Sequence, residues 1–375
     1  MARRPTRTQE PTPRSARAVT STPGQPRIRD FTRAPEPIVV DFDVRTVFDF
    51  VFSLSDDAGS TDDLPLADRR WLAEGKTALR ETVGGALELY ASDLCIVLAG
   101  LAVGRPDVRR AAEFVELVRS TPDREIVRTF VAEELRTPET RPLAERALAG
   151  DAEAIEALAA RMAEHGPGSR PGRLATLYRN PPAILDPARG ILAAWLAHFE
   201  PIEARVEAML RRDVELRAGD RSLPPAELIE RTTGGIRWLS EPGIRRVILA
   251  PSYFARPYNY VLGGEDWRLF GYPIADAALD AGDPLAPPPS FLRLHRALAD
   301  ETRLRILRLL RDRDYYLTEI AQILELSKPT VKHHLAQLRS AGLVTVIEEG
   351  GLTFYQLRRE RLDAAADELR NFLRR

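Results

Sequence analysis

LSKPTVKHHLAQLRSAGLV, residues 326–344, reads as a helix with both ends marked. Ser327 offers a side-chain acceptor to the first turn, and Pro329 stands where a missing N–H costs nothing. Leu326 and Val331 are spaced to clamp the chain where it enters the helix. Val331, Leu335 and Leu338 form one apolar stripe, and Gly342 supplies the left-handed residue that ends it. The opposite face carries Thr330, His333, Gln337 and Ser340, flanked by Lys328 and Lys332. Solvated helix faces elsewhere in this chain are rich in Glu and Arg. Here lie two of its three lysines and, in His333 and His334, two of its five histidines.

Working outward, FLRLHRALAD (291–300) and ETRLRILRLLRD (301–312) read as two helices, and LTEIAQIL (317–324) as a third, with Thr318 a candidate cap and Ile320, Ile323 and Leu324 apolar. The quoted helix is then the fourth. LVTVIEE-GG-LTFYQL (343–357) reads as a two-stranded wing, and RLDAAADELRNFL (361–373) as a last amphipathic helix with Leu362, Ala365, Leu369 and Phe372 on one face. A helix of this diameter fits the major groove, its N-terminal residues reaching base edges while its partner crosses the backbone. The residues expected at DNA are Ser327, Lys328, Thr330, Lys332, His333, His334 and Gln337, with Arg358 at the base of the wing. His333 and His334, being neighbours on a helix, point about 100° apart and do not form a chelating pair.

RALADETRLRILRLL, LTEIAQILELSKPTVKHHLAQLRSAGLV and the FYQL strand resemble the ArsR/SmtB winged-helix regulators over roughly residues 290–373. The resemblance implies a repressor that dimerises through the first and last helices of the module and reads a palindromic operator. Two features depart from the family pattern. Its metal sensors carry cysteines in the third helix or Asp/His pairs in the last; here the third-helix region reads YYLTEIAQ, and the last helix has Asp363 and Asp367 but no His. No metal site is therefore expected. The wing tip reads Glu348-Glu349-Gly350-Gly351 where the family usually presents Arg; an acidic tip repels phosphate, which leaves Arg358 or Arg359 to substitute.

Charge divides the chain further. Residues 1–36 hold 8 basic and 3 acidic side chains, residues 37–289 hold 30 and 40, and residues 290–375 hold 16 and 12. The ends are basic and the middle acidic, so a polyanion is expected at the ends. Cys95 is the single cysteine, which excludes an internal disulfide and a cysteine-based metal cluster. No apolar run approaches a membrane span, and residues 1–36 read as a disordered basic arm of a cytoplasmic protein.

Residues 37–277 form a regulatory or assembly region. IVVDFDV (38–44) reads as a strand, RTVFDFVFSLS (45–55) as a helix and DDAGSTDD as a loop; residues from 66 to about 217 are helical, the longest piece, 191–216, being interrupted at Pro201. IRRVILAPS (244–252) is a strand, and residues 257–274 a hairpin around GGED. ILAPSYFARPYNYVLGGEDWRLFGYPI is similar to a segment of ArsR-type regulators with a long N-terminal extension. A small-molecule effector would act here, with Trp195, His198, Phe199, Trp238, Tyr253, Tyr258 and Trp267 as candidate pocket residues; the other reading makes them core. No nucleophile elbow, phosphate-cradling loop or His-Glu metal helix is present, so no catalytic residue and no cofactor is expected. Residues 278–289 are a proline-rich linker and 290–375 the winged module. The whole is a mostly α chain with small β elements, α+β in class: a DNA-binding, homodimeric repressor, or alternatively a protein-interaction scaffold whose winged helix no longer reads DNA.

Overall fold

The computed structural model describes residues 38–84, 94–165, 171–279, 287, 289–349, 352–362, 367 and 370. The basic arm, most of the linker, the Gly350-Gly351 turn and most of the last helix lie outside the described residues. Among those described, the first half runs β1 (Val39–Phe42), α1 (Thr46–Ser53), α2 (Leu66–Val83), α3 (Leu94–Leu98), α4 (Gly100–Val103), α5 (Ala111–Ser120), α6 (Asp123–Phe130) and α7 (Ala132–Arg136). Then come α8 (Arg141–Leu148), α9 (Ala152–His165), α10 (Pro171–Arg179), α11 (Pro181–Leu216), α12 (Pro225–Thr233), β2 (Ile236–Trp238), β3 (Arg246–Ser252), β4 (Tyr260–Gly263) and β5 (Trp267–Pro273). The C-terminal part is α13 (Pro289–Leu298), α14 (Glu301–Leu310), β6 (Tyr315–Tyr316), α15 (Leu317–Leu324), α16 (Lys328–Ser340), β7 (Val344–Glu349) and β8 (Leu352–Leu357). This is a mostly helical α+β chain with a winged helix at its C-terminal end.

One four-stranded sheet has the order β1-β3-β5-β4, with β1, β3 and β5 parallel and β4 antiparallel in the expected hairpin. Successive strand side chains point to opposite faces, and both faces are buried. Ile248, Ala250 and Leu269 enter a large core with α1 and α11, while Val247, Leu249, Phe270 and Tyr272 enter a second core with Leu228 and Ile229 of α12 and Trp238 of β2. Every residue of α1 is buried.

Helix α11 differs from expectation. It runs unbroken from Pro181 to Leu216 with Pro187 and Pro201 inside it. A proline removes one N–H bond and strains the preceding turn. Buried Trp195 and Phe199 before Pro201, and Val206, Met209 and Leu210 after it, hold the two sides in one core and override that local cost.

The second four-stranded sheet has the order β2-β7-β8-β6, so the wing is wider than a hairpin and one of its strands comes from far upstream. Gly234 (φ +71°) and Gly235 (φ +114°) make the turn from α12 into β2, in backbone conformations that favour glycine. The Gly235 carbonyl accepts from the Val346 N–H at 2.7 Å. β2 then runs parallel to β7, placing Trp238 beside Glu348 in register. Val346 and the edge of Tyr355 complete the core around Trp238. The winged helix has its own centre in Leu294, Ile306, Leu310, Ile320, Val331, Leu335 and Leu338. Ile323, expected on the apolar face of α15, is instead 48% exposed.

Candidate nucleic-acid interface

The order α14–α15–α16 followed by β7 and β8 sets the quoted helix on the surface. Asp300 caps α14, its Oδ1 accepting from the Arg303 N–H at 2.9 Å. α15 starts one residue before Thr318; the Glu319 carboxylate accepts from the Tyr316 N–H at 2.9 Å, so the cap reaches back rather than forward from Thr318. Ser327 caps α16 as expected, accepting from the Thr330 N–H at 3.3 Å, and the two hydroxyls are 2.7 Å apart. Gly342 closes the helix with φ +74°. Val331, Leu335 and Leu338 are fully or almost fully buried, and Ser327, Lys328, Pro329, Thr330 and Lys332 are exposed. The start of α16 thus offers two lysines and two hydroxyls to solvent, a combination suited to phosphate and base edges.

The second half of the same face is different. His333 and Gln337 are half-buried and joined in a chain. Arg303 donates to Gln337 Oε1 at 2.6 Å, which turns the Gln337 amide nitrogen towards His333 Nε2 at 2.8 Å. In the neutral ring His333 accepts there, and Nδ1–H then donates to the Tyr258 hydroxyl at 2.7 Å. Burial pushes the Tyr258 hydroxyl up to about 12, so it stays a phenol near neutrality. His334 points elsewhere: its Nδ1 lies 3.7 Å from Asp300, and burial lowers its pKa against the pull of that carboxylate.

The flank of α16 beside His333 meets the middle region directly. Arg339 is buried and donates to the carbonyls of Thr233 at 3.0 Å and Pro257 at 2.7 Å. Lys332 Nζ stands 3.7 Å from Asp57. Ala336, between them, is buried without belonging to the winged-helix core. Arg358 is exposed, and its backbone N–H donates to Leu343 at 2.9 Å.

The seven aromatic and histidine candidates of the middle region do not line one cavity. Trp195, His198, Phe199 and Tyr253 gather with Trp71 and Phe254 in ring contacts of 4.2–6.4 Å. Their polar atoms are used internally: Trp195 Nε1 donates to Ser53 Oγ at 2.8 Å, Tyr253 donates to Asp68 at 2.6 Å, and His198 Nε2 lies 3.0 Å from the Trp71 carbonyl. Trp238 is in the other core, donating to Glu241 at 3.1 Å. Tyr258 belongs to the α16 contact. Trp267 lines a cleft of about 690 Å³ with Arg128, Thr129, Arg136, Arg141 and Arg245. Among the described residues no three His, Cys, Asp or Glu side chains gather as a metal site, and buried Cys95 has its thiol pushed up to about 12.

Asp57, Tyr258 and Arg339 are the residues whose part in this surface the sequence does not announce as such. Gly234-Gly235 before the short IRW segment is the one local signal that a strand begins there.

A sequence profile described as bacterial regulatory protein, arsR family, matches residues 300–346. The chain is 39% identical over 77 residues to the arsenic resistance transcriptional regulator ArsR1 of Pseudomonas putida, a match covering 20% of this chain and 57% of that protein. It is 32% identical over 78 residues to the transcriptional repressor SdpR of Bacillus subtilis, covering 21% of this chain and 87% of that protein. A solved structure of HlyU from Vibrio cholerae is 34% identical, covering 22% of this chain and 92% of that one, with a TM-score of 0.19. The chain thus spans little more than half the length of ArsR1 but most of SdpR. Through its C-terminal module, the chain belongs to the ArsR family of bacterial regulatory proteins.

Proposed function

We propose that this chain is a sequence-specific, DNA-binding transcriptional regulator acting in the cytoplasm as a homodimeric repressor. The supporting observation is the first turn of α16, where Ser327, Lys328, Thr330 and Lys332 are exposed on a capped helix that α15 presents in helix-turn-helix order. No helix of the described residues is long and apolar enough to cross a membrane. In this reading Lys328 and Lys332 meet phosphates, Thr330, His333 and Gln337 read bases, and Ser327, His334 and Arg358 lie at the edges of the contact. The middle region is where a non-metal effector would bias binding.

Lys328→Ala should weaken binding to an operator selected from genomic fragments and to random duplex alike, and lower the salt slope by about one. Thr330→Ala should weaken operator binding alone, by about 1–3 kcal/mol. Fluorescence anisotropy across a salt series separates the two, and equal losses on random DNA from both variants would sink the assignment of roles. Zinc, cadmium or arsenite at micromolar concentration should leave the operator complex intact; release that a chelator reverses would show a metal site. The scaffold reading draws on the engagement of His333 and Gln337 within the protein. It predicts no salt-sensitive binding to any duplex.

A further inference from the structure

We infer that the acidic loop 54–65 and Tyr258 together act as a built-in competitor for DNA, occupying the flank of α16 that a major groove would enclose. The loop and Tyr258 in their present positions and full insertion of α16 into DNA then exclude one another. The inference rests on the reading of α16 as the DNA-reading helix.

The loop carries Asp56, Asp57, Asp62 and Asp63, and two of these reach the winged helix. Asp57 lies 3.7 Å from Lys332, and Asp63 lies 3.9 Å from Arg293 of α13. A carboxylate thus stands beside a lysine where a phosphate would stand in a DNA complex. The loop is held in place from behind. Lys76 of α2 donates to the carbonyls of Ser55 at 2.6 Å and Ala58 at 3.1 Å, and Arg69 pairs with Asp62 at 2.5 Å. Thr61 donates to Asp63 at 2.6 Å. Ser60 Oγ is 3.4 Å from the Tyr258 hydroxyl, which joins the loop to the His333–Gln337 chain as one surface.

Space decides the exclusion. A major groove about 12 Å wide accepts one helix of about 10–12 Å diameter with its side chains. It has no room for a protein loop set against the flank of that helix together with Tyr258, which is hydrogen-bonded to it. The first turn, with Lys328 and Thr330 exposed, is open in the docked form; the His333–Gln337 half is not. The docked protein therefore reaches DNA with the phosphate-binding start of the helix, and reading with His333 and Gln337 requires the loop and Tyr258 to withdraw. The Lys332–Asp57 pair is partly exposed, 52% and 35%, so its attraction alone is weak. The Tyr258–His333 bond and the bulk of the loop carry the rest.

The test uses the full chain at fixed low salt and the tightest-binding duplex selected from genomic fragments, because reading with His333 and Gln337 is what the loop and Tyr258 oppose. Tyr258→Phe keeps the ring and removes only the hydroxyl; Asp57→Asn keeps the shape and removes the charge. Tyr258→Phe should tighten binding by about twofold to tenfold, the order expected for one hydrogen bond, Asp57→Asn by less, and the double variant by more than either. Glu153→Gln, on α9 beside Arg146, is the control for net charge and should change nothing. Hydrogen exchange on the wild-type complex should show the amides of 54–65 losing protection when DNA binds. Equal affinities of wild type and double variant overturn the inference and leave the DNA reading intact. So does tightening by Glu153→Gln to the same extent, or a loop as protected in the complex as in the free protein. Absence of salt-sensitive binding by every variant overturns both the inference and the DNA reading beneath it.

Discussion

Arg339→Met should destabilise the folded chain by about 2–4 kcal/mol, and Arg339→Lys by about half as much. Arg339 lies at the end of α16, 7% exposed, with one nitrogen of its guanidinium on the Thr233 carbonyl and another on that of Pro257. Methionine replaces the apolar stem but neither donor. The Thr233 carbonyl keeps a second partner, the Asn259 amide at 3.1 Å, so the larger loss falls at Pro257. Lysine retains a charge but has no planar fork to span two carbonyls, which is why recovery should be partial. Urea unfolding followed by tryptophan fluorescence measures the loss, since Trp238 sits in the core that β2 shares with the wing. A change below about 0.5 kcal/mol for Arg339→Met would mean that this contact does not hold the winged helix to the middle region.

The difference between what the sequence announces and what it hides follows the reach of each interaction. The limits of α16 are legible because Ser327 and Gly342 act within one turn of the helix ends. The hairpin 260–273 and the wing are legible because their turns and strands are adjacent in the chain. β2 is three residues long, and its partner β7 lies more than a hundred positions away, so beyond the Gly234-Gly235 turn no local pattern announces it. The run through Pro201 is hidden for the converse reason: the local rule predicts a break, and Trp195, Phe199 and Met209 in one core override it.

At the candidate site the first turn of α16 is readable from residue types alone, because solvent leaves those side chains as the sequence presents them. The second half is not. His333 and Gln337 look like base-reading residues, yet their partners in the folded chain, Tyr258 and Arg303, come from separate parts of the sequence. The aromatic run from Tyr253 to Tyr272 shows that something is buried. Alternation along the strands then sends Leu269 to one core and Phe270 to another, and a count of aromatics cannot separate them.

Asp49 gives the second large expected effect, a loss of stability with rising pH. It lies on α1, wholly buried, where its Oδ1 accepts from the Ser252 hydroxyl and from the Phe254 N–H, the latter at 3.1 Å. Oδ2 has no hydrogen-bond partner among the described residues. Burial dominates over these hydrogen bonds and raises the carboxyl from 3.8 to about 7. A carboxyl whose folded pKa is raised binds more protons in the folded state than in the unfolded one between those two values. Stability therefore falls as pH climbs through that window and levels off above about 7. Between pH 5 and pH 8 the loss from this one group should be about 2–3 kcal/mol. Asp49→Asn cannot ionise; its amide brings only a pH-independent offset, from an N–H group without an acceptor. The stability of Asp49→Asn minus that of the wild type should rise by that amount between the two pH values, because the other titrating groups are common to both chains and cancel. Urea melts of the two proteins at pH 5 and pH 8 measure it. A difference that stays constant would show that Asp49 remains ionised in the folded chain across this range, and that Ser252 and Phe254 stabilise its charge more than burial opposes it.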